Sequence, residues 1–426
     1  MGPWRQRLTL LFAVLGPGVI TGAAADDPSG MATYSQTGAQ CGYGQLWTAL
    51  AMLPLHIAVQ EACARIGAVT GQGLAAVVRD QYSRPVLRAV VLLLLVANTL
   101  NIGADSGAMA AAATLLVPVA PAVLAITSTA VMVLLEIVLT SRVYARLLKW
   151  LTLALLAYPL TVGSVPQPWG AVRTATFLPH VEWTCDFLCL ITGVLGTTIS
   201  PSLFVWQAPE VVEEARATGR LVGSGPPRVS GATLRDLRLD NGVGMVFSEV
   251  GTWSSIVVTA TVLHAHGVTA MGTAADAAQA LEPLVQNFPH AGVLAKGLFA
   301  VGVIGMGVLG IAVLAGSAAY ALAEALQWHE GLALPLRQAP TFYGILSAAT
   351  LLGLAMNFLG IAPIHALIST AVINGVVAVP VLFVSARSAQ IMGAYRSGWL
   401  STVVLWLTCV AMGAGALGMG ATRGTP

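Results

Sequence analysis

The stretch GVITGAAADDPSGMATYSQTGA, residues 18–39, decides the fold. It is apolar enough to lie in a membrane, yet it contains Asp26, Asp27 and the helix breaker Pro28. Asp followed by Pro is a good helix start, because Asp caps free N–H groups and Pro suits the first turn. A carboxylate near the bilayer centre, however, costs roughly 2.5–3.5 kcal/mol even on the gentler insertion scales. Ser or Asn would cap without that cost, so an acid at this depth points to an ion or substrate path. Breaking the helix also frees carbonyls near Ala24 and Ala25, which carry partial negative charge into the gap.

The rest of the chain supports a membrane setting. Of 426 residues, 56% are apolar and only 9% charged, with mean hydropathy +0.80; soluble domains carry about 25% charged residues. A net charge of +2 argues against a nucleic-acid surface. The five cysteines, Cys41, Cys63, Cys185, Cys189 and Cys409, read as small buried hydrophobes, since no His or further Cys completes a metal shell near Cys185 and Cys189. Arg5 and Arg7 ahead of an apolar run imitate a secretory signal, but Gly16-Pro17-Gly18 interrupts the run. It is read as the first membrane helix.

Eleven segments have the roughly 17–25 apolar residues needed to span hydrocarbon. They cover about 8–38, 46–66, 86–117, 119–140, 145–163, 184–214, 243–266, 291–326, 341–358, 362–386 and 397–419. Placing the N-terminus in the cytoplasm puts seventeen basic residues on the inside and only Arg173, Lys296 and Arg423 outside. The positive-inside rule therefore sets the N-terminus in and the C-terminus out. Residues 216–242 become a polar cytoplasmic connection, and residues 273–288 an outside loop with helical periodicity. The whole chain, 1–426, is expected to be one transmembrane domain.

An internal repeat is legible. Ile20-Thr21-Gly22 followed by Pro28-Ser29 in the first segment matches Ile191-Thr192-Gly193 followed by Pro201-Ser202 in the sixth. Five helices separate them, an odd number, so the halves (about 8–163 and 184–386) are inverted, with 397–419 as an extra helix. Interrupted segments at matching positions mark a transporter's binding site. The sixth segment is expected to break between Thr197 and Pro201, offering carbonyls and the hydroxyls of Thr197, Thr198 and Ser200. With Asp27 these make an all-oxygen site, suited to Mg²⁺, Ca²⁺ or Mn²⁺.

These residues resemble the Nramp divalent-metal transporters over nearly the full length. The resemblance rests on DPSGMATYSQTGA, AVQEACARIGAVTGQGLA, ANTLNIGADSGAMAAA, YARLLKWLTLALLAY and GTTISPSLFVWQ. It implies an all-α polytopic membrane protein with a LeuT-like 5+5 inverted repeat, discontinuous helices 1 and 6, and eleven transmembrane helices. It also implies alternating-access transport of a divalent cation, usually proton-driven, in a bacterial cytoplasmic membrane, with no resident cofactor. The family's Asp-Pro-Gly-Asn is here Asp27-Pro28-Ser29-Gly30, and its Met-Pro-His is Ser200-Pro201-Ser202. Of its two helix-three acids only Asp105 remains, with Ala108 at the other position. The candidate metal site is accordingly Asp27, Gly30, Thr197 and Ser200, with Asp26, Asp105 and Asn374 in supporting or coupling roles. Replacing a soft thioether by the Ser200 hydroxyl removes the bias toward transition metals and points to the Mg²⁺- and Mn²⁺-associated branch, its proton route thinned.

Two other functions compete. A Na⁺- or H⁺-coupled symporter of organic solutes has the same fold, but Asp27 repels a substrate carboxylate. An intramembrane aspartyl hydrolase needs two carboxyls sharing a proton, and leaves the inverted repeat without a purpose. Of the remaining ionisable residues, Glu61 and Arg65 are spaced i, i+4 as a structural pair. His56 reads as a hydrogen-bonded packing residue. Glu210, Glu213 and Glu214 read either as an inner vestibule for cations or as solvated helix-end charges.

Overall fold

The computed structural model describes residues 16–139, 141–221, 229–269, 289–359 and 381–423. All regular structure there is helical. The first half contains α1 (Pro17–Ala24), α2 (Pro28–Cys41), α3 (Trp47–Thr70), α4 (Leu74–Gln81), α5 (Arg84–Thr114), α6 (Pro121–Val138), α7 (Ser141–Leu151), α8 (Ala157–Ser164) and α9 (Trp169–Phe177). The second half contains α10 (Cys185–Thr198), α11 (Pro201–Ala217), α12 (Gly231–Val262), α13 (Pro289–Leu326), α14 (Pro340–Met356), α15 (Ala389–Met392) and α16 (Trp399–Arg423). Six helical spans among the described residues are long and apolar enough to cross a membrane, including the α10–α11 pair taken together, and α14 and the Trp399–Gly415 part of α16 are shorter apolar helices. The surface agrees: large apolar side chains such as Leu92, Leu134, Val138, Trp150 and Trp399 are more than half exposed, as a lipid-facing surface requires.

The expected segments reappear with shifted ends, except the tenth, about 362–386, which lies mostly outside the described residues, and two differences matter. The fifth segment is α7, a 3₁₀ turn over Thr152–Leu156, and α8 in direct succession. The polar connection 216–242 is not all loop. From Gly231 it is already α12, whose 32 residues extend to about 48 Å at 1.5 Å per residue, longer than the ~30 Å hydrocarbon core. This length carries Asp240 to the start of α1, where its carboxylate accepts from the N–H groups of Gly16 (2.8 Å), Gly18 (2.7 Å) and Val19 (3.3 Å). The first half-helix has no cap of its own, so a residue 224 positions away supplies it. The outside loop 273–288 lies outside the described residues.

α1 and α2 pack along α12, and α13 packs against α5, α11 and the α1–α2 pair. Backbones approach closely: a Cβ added at Gly22 on α1 would collide with the Gly244 backbone on α12. Small residues at membrane helix contacts permit such approach. Toward the C-terminal end of α3, Glu61 and Arg65 form the expected pair at 3.2 Å, and Arg238 of α12 joins Glu61 at 3.1 Å.

Candidate functional site: a cavity between two broken helices

Both expected breaks are present, for the same local reason. The ring of a proline disfavours helical conformation in the residue before it. Asp27 accordingly lies at φ −59°, ψ 166° and Ser200 at φ −85°, ψ 136°, both extended. α1 stops at Ala24 and α2 begins at Pro28; α10 stops at Thr198 and α11 begins at Pro201. The two breaks face one cavity, lined by Ala24, Ala25, Asp27, Thr197, Ser200 and Asn101 together with small and apolar neighbours. Its free volume is about 20 Å³, where one water takes roughly 10–15 Å³. In this conformation it admits one or two water-sized species, not an ion with a full hydration shell.

Asp27 has two tasks. Its Oδ1 accepts from the Gly30 N–H at 2.7 Å and the Ser29 hydroxyl at 2.6 Å, capping α2. Its Oδ2 accepts nothing among the described residues and remains for a ligand. Asp105 of α5 stands beside it, with Oδ1 accepting from the Ser29 N–H at 2.8 Å. Two carboxylates thus serve adjacent N–H groups at one helix N-terminus, where the helix dipole favours negative charge. Asp105 Oδ2 is buried without a partner, and Asp105 does not line the cavity.

The hydroxyls are less available than their sequence positions suggest. Thr197 Oγ1 donates back to the Gly193 carbonyl at 2.8 Å, and Thr198 Oγ1 pairs with Tyr34 Oη at 3.0 Å. The Thr197 carbonyl, in the last turn of α10, is one of the helix-end carbonyls that have lost their intrahelical partners. Ser200 Oγ pairs with Ser202 Oγ at 2.7 Å and retains lone pairs for an ion. At Gly30 an added Cβ would sit 2.9 Å from the Ala25 carbonyl oxygen and 3.1 Å from Thr197 Cγ2, so this position contributes by being bare.

Asp26 turns away from the cavity toward α12, where Oδ1 accepts from the Thr252 hydroxyl at 3.1 Å. Asn374 lies outside the described residues. Sequence reasoning missed three contributors. Asn101 lines the cavity one helical turn before Asp105, a polar i, i+4 pair in an apolar run that was there to be found. Ser202 also lines it. Gly310 of α13 lets that helix press on the break: an added Cβ would lie 2.5 Å from Asp27 Cβ and 3.1 Å from Asp105 Oδ2. Among the described residues no three His, Cys, Asp or Glu side chains gather to hold a metal. The donors here are carbonyls, hydroxyls and an amide around one carboxylate.

The profile described as "Natural resistance-associated macrophage protein-like" matches residues 18–421. A protein of Granulibacter bethesdensis named "Divalent metal cation transporter MntH" is 30% identical over 199 residues, 45% of this chain and 43% of that relative. The aligned part thus spans less than half of that relative's length. Among solved structures, a manganese transporter of Eremococcus coleocola superposes with TM-score 0.69 at 18% identity, over 100% of this chain and 90% of that one. Mhp1, a nucleobase-cation-symport-1 family transporter, superposes with TM-score 0.55 at 15% identity over 96% and 92%. These likenesses show a shared fold. With the profile running almost end to end, this integral membrane protein, broken at Asp27-Pro28 and Ser200-Pro201, belongs to the Nramp family.

Proposed function

We propose that the chain is a secondary transporter of hard divalent cations, Mn²⁺ and Mg²⁺ foremost, working by alternating access. One observation carries this reading: Asp27, among the described residues the only carboxylate lining the cavity, meets the open ends of two broken helices. Asp27 Oδ2 supplies the charge, with the carbonyls of Ala25 and Thr197, the Ser200 hydroxyl and the Asn101 amide oxygen as neutral donors, directly or through water. All are oxygens, which suit Mg²⁺ and Mn²⁺ better than softer ions. Gly30 keeps the site open. The names of the relatives, a divalent metal cation transporter and a manganese transporter, support the same class.

The matching interruptions support two inverted repeats, about 8–163 and 184–386, with a further helix at 397–419 and eleven crossings in all. The distribution of basic residues supports an inward N-terminus and an outward C-terminus, and the bacterial relatives support a cytoplasmic membrane. Asn374 is retained as a supporting group from the tenth segment. Uptake of Mn²⁺ and Mg²⁺ into liposomes holding the purified protein tests the reading. Asp27→Ala is expected to abolish both fluxes; undiminished transport would refute the assignment.

A further inference from the structure

A second polar cluster forms where α6, α11 and α13 end and α7 begins, and none of its members lines the cavity. Glu136 of α6 and Tyr144 of α7 are neighbours, 3% and 5% exposed. Among the described residues, both carboxylate oxygens of Glu136 and the Tyr144 Oη are buried with no hydrogen-bond partner. Tyr144 also faces Glu210 of α11. Tyr320 Oη of α13 stands 2.5 Å from Glu213 and 3.3 Å from Glu210. A hydroxyl has one proton to give, and the shorter contact takes it, so Glu210 is left without a strong donor.

Polar atoms buried without partners are rare and call for a bound species or a function. A buried carboxylate is normally paired or bound to a metal. The charges acting on Glu210 are those of Glu213 and Glu214, both negative. Arg220 is taken by Glu214, and Arg216 offsets part of the charge at Glu213. The cluster thus carries excess negative charge, and its donors are carboxylate and phenol oxygens, which suit a hard cation. No three acids among the described residues close around one point, so the cluster does not strip an ion of its water. Mg²⁺ gives up water reluctantly and is commonly held by one or two carboxylates, which fits this arrangement.

We propose that Glu136 and Glu210, with the Tyr144 hydroxyl as a neutral donor, hold a second, partly hydrated divalent cation. The proposal rests on the reading of the chain as a divalent-cation transporter: this is the station an ion occupies between the cavity and the solution at that end of the bundle. Glu213 adds charge without ligating, since its oxygens accept from Tyr320 and from the Ala333 N–H. Glu210 follows Ser200 by ten residues on the same helix, about 15 Å at 1.5 Å per residue. Trp206 comes between them, fully buried against Gly316, where an added Cβ would stand 2.2 Å from its ring. It meets Tyr320 edge-on at 6.0 Å. In this conformation the indole separates the two sites, and an ion passes from one to the other when α11 moves off α13.

Electron paramagnetic resonance of free Mn²⁺ counts the ions bound by the protein in nanodiscs of zwitterionic lipid. The wild type is expected to bind two, Asp27→Ala one, and the paired variant Glu136→Gln with Glu210→Gln one. A paired variant that binds as many ions as the wild type overturns the proposal, and so does a wild type whose single ion is lost with Asp27→Ala. A count lowered by the paired variant but not by Asp27→Ala supports the cluster and counts against the cavity reading instead. If the paired variant does not fold, Tyr144→Phe removes one neutral oxygen and is expected to weaken the second ion about fivefold in the same titration; an unchanged isotherm overturns the proposal. Mg²⁺ is expected to displace the Mn²⁺ that Asp27→Ala retains, and Na⁺ at equal ionic strength to leave it bound. Equal displacement by Na⁺ overturns the assignment to a divalent ion.

Discussion

Restoring the family's asparagine at position 30 is expected to weaken the site, not to improve it. The Cβ of Gly30→Asn would stand 2.9 Å from the Ala25 carbonyl oxygen, 3.1 Å from Thr197 Cγ2 and 3.4 Å from Asp27 Oδ1. Ordinary contact begins near 3.4 Å, so the first two neighbours must retreat by a few tenths of an ångström. The first is backbone and cannot rotate aside, and both belong to residues that line the cavity. Overpacking of this kind costs about 1–3 kcal/mol, which at 1.4 kcal/mol per decade sets an upper bound of about 5- to 140-fold on the loss of affinity, reached when the whole strain falls on the occupied site. Gly30→Ala isolates the Cβ and is expected to show most of that loss. Adding Thr197→Ser removes the Cγ2 obstacle and is expected to recover part of it. Calorimetric Mn²⁺ binding measures all three variants. Tighter binding by Gly30→Asn alone would refute the steric reasoning.

Three other predictions follow from single contacts. Ser200→Met is expected to raise the uptake ratio of Mn²⁺ or Cd²⁺ over Mg²⁺ in liposomes, because a thioether is a soft ligand; an unmoved ratio removes Ser200 from the ligand set. Asp240→Ala removes the three bonds that cap α1 and is expected to cost at least the ~1 kcal/mol of an ordinary cap, read as a lower thermal midpoint in detergent than for Asp236→Ala on exposed surface. Burial pushes the carboxyl of Glu330, in the segment between α13 and α14, up to about 7, with the charge of Glu213 adding to it and Arg216 and Arg79 opposing it. A raised acid is more stable folded when protonated, so its contribution is full below the ordinary value near 4.3 and is lost as pH rises through about 7. Glu330→Gln is expected to flatten thermal stability across that window, and an unchanged pH profile would exclude Glu330 as the cause.

The acids that follow the second break show how contacts resolve a choice left open by spacing. Glu213 accepts from Tyr320 Oη at 2.5 Å and from the Ala333 N–H at 2.9 Å, while Glu214 pairs with Arg220 at 3.2 Å. Glu213 therefore tethers the segment between α13 and α14 to α11, whereas Glu214 is a partly exposed helix-end charge. His56 is similar. Its burial in a polar contact was readable from an apolar helix, but its partner Glu249 lies 193 residues away.

Local chemistry determined what could be read from the chain alone. Hydrophobic segment lengths, the prolines after Asp27 and Ser200, and the Glu61–Arg65 spacing act within a few residues, and they specified helices, breaks and the cavity-lining acid. Tertiary structure alone decided which polar atoms remain free at the site. The Thr198 hydroxyl is taken by Tyr34, Asp105 serves the first turn of α2, Asp240 caps α1, and Gly310 admits α13 to the break. Each of those outcomes depends on which helices touch. Between membrane helices contact is set by close packing of small residues, and a one-residue change of helix rotation moves a side chain by about 100°. Residue type and spacing along one segment do not record that rotation.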